Sequence, residues 1–204
     1  NGLRAVDTGT PDLAILQSHH AAYIAALRAT GATVIELEAL PPYPDSVFVE
    51  DTALCLPQGA IIMRPGAPTR LGEAAEMEPH LRALYGTIAR ITAWGHALRE
   101  VHTPPGVLHF KTDCSLLDAD TILSTERLSA SGCFDGYRLI HTAPGEEAAA
   151  NTIRFNDVVL MPAGFPGTRA AIEAGGFTVV EIGNSECAKL DGGMSCLSLR
   201  FTPS

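Results

Sequence analysis

Leu190-Asp191-Gly192-Gly193-Met194-Ser195-Cys196-Leu197-Ser198-Leu199-Arg200-Phe201 is the stretch that orders the rest of the chain. Asp-Gly-Gly asks for a tight turn with positive φ, which glycine supplies at least steric cost. From Met194 to Phe201 apolar and polar residues alternate, so the pattern predicts a half-buried strand with Cys196 near its mouth. A cysteine in a strand is commonly a small buried hydrophobe. Asp191 and the two glycines beside it raise a second reading, a nucleophile presented to a ligand. Such a cysteine needs a base or cation to form thiolate, and that partner usually comes from a distant part of the sequence.

The composition bounds what the chain can be. It has 204 residues, 46% hydrophobic and 18% charged, enough for one domain with its own core over residues 1–204. No apolar run is long enough to span a bilayer, and no secretory leader is expected, although the start at Asn1-Gly2-Leu3 reads as partway through a loop. The five cysteines show no paired or zinc-finger spacing, which favours reduced thiols and a cytoplasmic setting. A net charge of −9 argues against nucleic acid and leaves a mild preference for cationic small molecules.

Upstream, Thr10-Pro11-Asp12 predicts a helix start with Thr10 as N-cap. Leu13, Leu16, His20, Tyr23 and Leu27 recur on one helical face until Gly31. Strands are expected over 33–37, 46–56 and 60–63, then a helix over 73–85 interrupted by Pro79, and a strand over 87–91. The second half repeats this plan, with strands at 107–117, 121–125, 137–141, 151–155 and 158–161, a helix at 168–174 and a strand at 178–182. Residues 60–70 echo 158–169: each runs from a strand through Gly and Pro into a helix. A recurring strand–strand–helix–strand unit marks a repeat architecture.

Several polar residues suit chemistry on a cation. Asp45 precedes one expected strand, and Glu50 and Asp51 are adjacent within it. Neighbouring strand residues face opposite sides, so one of the two acids is directed inward, where it needs a cation. Arg70 opens the helix after the Gly-Pro turn. An arginine there opposes the helix dipole, which points to a carboxylate partner. His109 lies among apolar residues on an expected strand. In isolation it reads as a core residue; paired with Cys196 it supplies the imidazole that thiolate chemistry needs. Asp113 and Glu147 are its candidate supports.

Taken together, PDSVFVED (44–51), RPGAPTR (64–70), LHFKT (108–112), AAANTIRFN (148–156), VVLMPAGFPGTR (158–169) and LDGGMSCLSLRF (190–201) resemble the dimethylarginine dimethylaminohydrolases of the guanidino-group-modifying superfamily. The resemblance implies an α/β fold, a pseudo-five-fold α/β propeller of ββαβ modules around a central site. It also implies hydrolysis of Nω-methylated arginine to citrulline and a methylamine through a covalent cysteine thiouronium, with no cofactor and no metal. Carried over by position, Cys196 matches the nucleophile and His109 the general acid/base. Asp51 matches the grip on the guanidinium, with Glu50 beside it. Asp45 and the Leu3 backbone match groups near the α-amine, Arg70 an arginine on the α-carboxylate, and the Leu190 carbonyl and Asp191 side chain line the same pocket. The implied partner is a small-molecule substrate, methylated arginine. Neither nucleic acid nor membrane is expected, and a homodimer stays open.

One departure stands beside the match. The resemblance also implies a second acid and a second arginine, from a Glu/Asp-Gly-Gly-Asp segment and a Leu-Ser-x-Arg-Thr-Asn-like segment before the histidine. Neither segment is present, and Ile91 runs directly into Thr92-Ala93-Trp94. The expectation is that close to one module is missing near residues 91–92. Two alternatives therefore remain: a non-catalytic guanidino-binding homologue, and an arginine deiminase. A metal site built on Cys196, His109 and an acid lacks further ligands at a suitable spacing.

Overall fold

Asp12, not Thr10, caps the first helix. Its Oδ1 accepts from the N–H of Ala14 at 2.9 Å and of Ile15 at 3.1 Å, and α1 runs Leu13–Ala29. A carboxylate both satisfies the free amides and places negative charge at the positive end of the helix. Gly31 follows at φ 88°, a left-handed conformation that ends helices readily. Tyr23 and Leu27 of the expected face are buried, together with Ile24. Leu13, a turn and more away, is exposed.

The computed structural model describes residues 2–57, 59–63, 65, 67–85, 104–105, 107 and 109–201. These fall into two compact units, one of residues 1–3, 37–100 and 196–204, the other of 4–36 and 101–195.

In the first unit β1 (Ala53–Leu56) pairs antiparallel with β2 (Gly59–Ile62), Ala53 opposite Ile62. Helix α2 (Glu73–Leu84) follows and continues through Pro79. It lays Met77 and Leu81 against Ala53, Ala60 and Tyr85, and Leu199 and Phe201 close the same cluster. The Tyr85 and Phe201 rings meet at 5.4 Å, a distance that favours aromatic pairing. The strand expected over 46–56 survives only at its end, because Val49–Thr52 is a turn of 3-10 helix. Successive side chains there lie about a third of a turn apart, not on opposite faces. The inward-or-outward argument for Glu50 and Asp51 therefore does not hold: Glu50 is half-buried and Asp51 exposed. The alternating residues 33–37 form no strand among the described residues. Both the strand expected at 87–91 and the break expected near 91–92 lie outside the described residues.

The second unit contains the repeat twice. Strands β3 (Cys114–Leu116) and β4 (Thr121–Ser124) form an antiparallel pair, α3 (Glu126–Ser129) crosses over, and β5 (Arg138–His141) returns parallel to β4. Strands β6 (Ile153–Phe155) and β7 (Val158–Pro162), helix α4 (Pro166–Ala174) and β8 (Thr178–Ile182) do the same. A parallel return requires a crossover, and the helix supplies it. Leu117, Leu123, Ile140, Val159, Met161 and Ile172 make one core from both modules. A last short helix, α5 (Ser185–Ala188), leads to the 190–195 turn.

Two expected strands are replaced. Among the described residues of 107–117 only Cys114–Leu116 is strand, and Phe110–Thr112 is a 3-10 turn. Of 194–201, Ser195–Leu197 is a 3-10 turn and residues 198–201 have no regular structure.

Candidate active site

Six of the expected residues belong to the first unit: Leu3, Asp45, Glu50, Asp51, Arg70 and Cys196. Asp45 is buried, at 4% exposure, and both of its oxygens accept from the Leu3 N–H, at 3.0 and 3.1 Å. A buried carboxylate needs such partners, and here it fixes the start of the chain on the 45–52 segment. Arg70 closes a 3-10 turn, Pro68–Arg70, and reaches back over that segment. Its Nη1 donates to Asp51 at 2.5 Å, and its Nη2 donates to the carbonyls of Phe48 at 3.1 Å and Asp45 at 3.3 Å. One guanidinium thus holds the Asp51 side chain and two carbonyls of the 45–52 segment.

Arg70 has a further partner that was not among the expected site residues. Glu73, 2% exposed at the first position of α2, accepts from Nε at 3.0 Å on both oxygens and from Nη2 at 2.6 Å. Burial acts to lower the Arg70 pKa; the hydrogen bonds and charges of Glu73 and Asp51 outweigh it, and the group is held above its ordinary value. The carboxylate inferred for Arg70 is therefore real, but it comes from the protein. A sequence signal for it existed, since Arg70 and Glu73 stand three apart at a helix start, a spacing that lets the two side chains meet.

Cys196 is half-buried. The residues before it are held within the second unit. Asn151 Oδ1 accepts from the Ser195 N–H at 2.9 Å, and the Tyr23 hydroxyl donates to the Met194 carbonyl at 3.0 Å. Gly193 permits this approach, for a Cβ there would lie 2.2 Å from Asn151 Cγ and Nδ2. Close approach, not positive φ, is what this glycine provides. The left-handed residue of the turn is Asp191, at φ 57°, a conformation that aspartate tolerates better than most. Asn151 and Tyr23 were not expected in this role; nothing local to either residue marks it.

His109, Leu190 and Asp191 belong to the second unit. His109 is exposed and extended, at the start of the Phe110–Thr112 turn, where its carbonyl accepts from Thr112 N–H at 3.0 Å. Asp113, its expected support, is buried and taken by Arg127, which donates Nε at 2.7 Å and Nη2 at 2.6 Å. Glu147 accepts from the Gly145 N–H at 3.1 Å. Asp191 accepts from the Ala5 N–H at 2.5 Å, and Leu190 is half-buried beside it. Among the described residues no three His, Cys, Asp or Glu side chains are grouped to hold a metal ion. Nor is any described helix long and apolar enough to cross a membrane.

The modules define the class first: a mixed α/β fold of repeated strand–strand–helix–strand units. Solved structures of that class superpose closely. The Pseudomonas aeruginosa enzyme named DDAH, crystallised as a cysteine-to-serine variant with citrulline, matches at a TM-score of 0.91 and 34% identity, over 98% of this chain and 93% of that one. A dimethylarginine dimethylaminohydrolase carrying a histidine-to-glycine change, as an adduct with S-methyl-L-thiocitrulline, matches with the same TM-score. In sequence, the N(G),N(G)-dimethylarginine dimethylaminohydrolase of Pseudomonas aeruginosa is 35% identical over 98% of this chain and 94% of its own length. No family model matches. The chain belongs to the dimethylarginine dimethylaminohydrolase family. The alignment with the Pseudomonas protein runs over 242 positions whereas this chain has 204 residues, so the relative carries internal stretches with no counterpart here. A missing internal segment was expected on the motifs alone.

Proposed function

We propose that this chain hydrolyses Nω-methylated arginine to citrulline and a methylamine. The observation that carries the reading is the 35% identity, sustained over 98% of the chain, to a dimethylarginine dimethylaminohydrolase. The local chemistry agrees with it. A guanidinium is a delocalised cation whose carbon resists attack, so carboxylates must hold it while a thiolate adds. Asp51 is the proposed grip, with Glu50 beside it, and Asp45 and the Leu3 backbone serve the α-amine end. Leu190 and Asp191 line the ligand in the same proposal.

Cys196 is the proposed nucleophile. Its thiolate adds to the guanidinium carbon, and the tetrahedral adduct collapses when His109 gives a proton to the departing amine. A thiouronium remains on the sulfur. Water, losing its proton to His109, then attacks the same carbon, and the thiolate leaves as citrulline forms. The enzyme is read as cytoplasmic, functioning over residues 1–204 as one domain.

The stretches present in the Pseudomonas relative and lacking here favour a second reading, a homologue that binds guanidino compounds without turning them over. Citrulline and amine release from dimethylarginine and from arginine, with Cys196→Ser as control, separates these readings. Citrulline with dimethylamine supports the hydrolase, ammonia from arginine a deiminase, and binding without release the second reading. Citrulline release that survives Cys196→Ser would remove the covalent route.

A further inference from the structure

Taking His109 as the general acid/base, as proposed above, we infer that Arg127 is a positioning residue for it. Its fork on the buried Asp113 carboxylate anchors the far end of the Phe110–Thr112 turn and so fixes where the imidazole stands. In this role Arg127 acts through Asp113 and not on the ligand.

His109 is exposed and extended, at φ −131° and ψ 144°, so its place depends on the backbone that follows. Its carbonyl accepts from the Thr112 N–H at 3.0 Å, and the Phe110 carbonyl accepts from the Asp113 N–H at 3.2 Å. A single short 3-10 turn holds its own shape weakly and needs anchors at both ends. The Phe110 ring supplies one, packing on Phe134 at 5.6 Å. Asp113 supplies the other. Its carbonyl accepts from the Thr125 N–H at 2.9 Å, and its two carboxylate oxygens take Nε and Nη2 of Arg127 at 2.7 and 2.6 Å. Paired charge-assisted bonds of this kind set direction as well as distance. Arg127 is itself well based. It belongs to α3, where the Thr125 side chain caps the helix by accepting from the Leu128 N–H, and Leu128 is buried in one cluster with Phe134 and Phe110. Stability alone accounts poorly for the pair. The Asp113 side chain is 1% exposed and that of Arg127 45%, so one charge is fully desolvated against a partner still half in water. An apolar pair in such a place is commonly as stable or more so. What the fork adds over an apolar contact is a defined direction for the turn that bears His109.

The proton that His109 gives to the leaving group supplies the readout. When the tetrahedral adduct of dimethylarginine collapses, the C–N electron pair departs with dimethylamine only once that nitrogen is protonated. In the S-methyl isothiourea counterpart of arginine the C–S pair departs as methanethiolate, which needs no proton. Both routes leave the same thiouronium on Cys196, so first-turnover release of each product, with enzyme in excess, compares the two departures alone. Arg127→Lys keeps the charge and loses the fork. It should slow dimethylamine release by about tenfold or more, as a misplaced acid does, and methanethiol release by less than about threefold. The double variant Asp113→Asn with Arg127→Gln removes both charges together, so no buried charge is left unpaired to unfold the chain, and it should show the same split. His109→Ala on the same two substrates is the reference. A split with His109→Ala, but equal loss or no loss with both Arg127 variants, would overturn the inference and leave His109 its role. No split with His109→Ala would remove that role, and the inference with it. A parent chain that releases neither product ends the hydrolase reading and the positioning role together.

Discussion

Arg70 and Glu73 form a buried ion pair in which Nε and Nη2 of the arginine meet both oxygens of the glutamate, the shortest contact being 2.6 Å. The pair sits where the Gly-Pro turn enters α2, and through Nη1 and Nη2 it also holds Asp51 and two carbonyls of the 45–52 segment. One guanidinium therefore ties the start of α2 to the 45–52 segment.

Removing one member of that pair leaves the other charge buried without its main partner. Glu73→Ala should lower the unfolding free energy by about 3 kcal/mol, as broken buried pairs do. Urea denaturation measures it, and a midpoint equal to that of the parent chain would show the pair to be energetically idle.

Cys196 makes a contrasting case. It is half-buried, and serine is nearly isosteric with it. Cys196→Ser should leave stability within about 1 kcal/mol of the parent while citrulline release falls by several orders of magnitude, as loss of a nucleophile requires. Denaturant melts beside an end-point citrulline assay report both effects.

The turn before the cysteine depends on Asn151. Asn151→Ala removes the acceptor of the Ser195 N–H and should cost about 1–2 kcal/mol. Gly193→Ala should do at least as much, because its Cβ would fall 2.2 Å from the Asn151 side chain. Each should also lower kcat by about tenfold or more, since a small displacement of a reacting group is expensive. Unchanged kcat in both would separate this turn from the chemistry.

Acid stability should depend on Glu186. The Lys189 ammonium, at 2.7 Å, and then the Asp12 N–H, at 2.7 Å, hold its carboxyl down to about 2, against an ordinary value of 4.5. The folded value lies below the unfolded one, so the contribution is whole above pH 4.5 and fades as the pH falls toward 2. Glu186→Gln should therefore lower Tm clearly at pH 6, with the difference from the parent closing below about pH 3. Thermal melts across that range check it, and a constant difference at every pH would rule the ion pair out as the cause.

Much of the architecture was legible in order. The hairpin, helix and parallel strand at 153–182 follow from short apolar runs, a Gly-Pro turn and a Gly-Gly stop, all of them local signals. The acids at 45, 50 and 51 and the cysteine at 196 drew attention through residue type and neighbourhood, and the arginine at 70 through its unfavourable place at a helix start. Where alternation was the sole cue it misled. Residues 49–52 and 195–197 read as strand but curl into 3-10 turns, because Arg70 binds the Phe48 carbonyl and Asn151 the Ser195 amide.

By itself, then, the sequence determined the repeating module and the kinds of group available to a cationic ligand, since periodicity and composition are properties of neighbours along the chain. Only the tertiary structure decided which partner each charge takes: Glu73 for Arg70, Leu3 for Asp45, Arg127 for Asp113 and Ala5 for Asp191. A charge takes its partner wherever the fold places one, and the buried carboxylates of Asp45 and Asp113 must do so; all but the first of these partners lie more than a dozen residues away in sequence, beyond the reach of any local pattern.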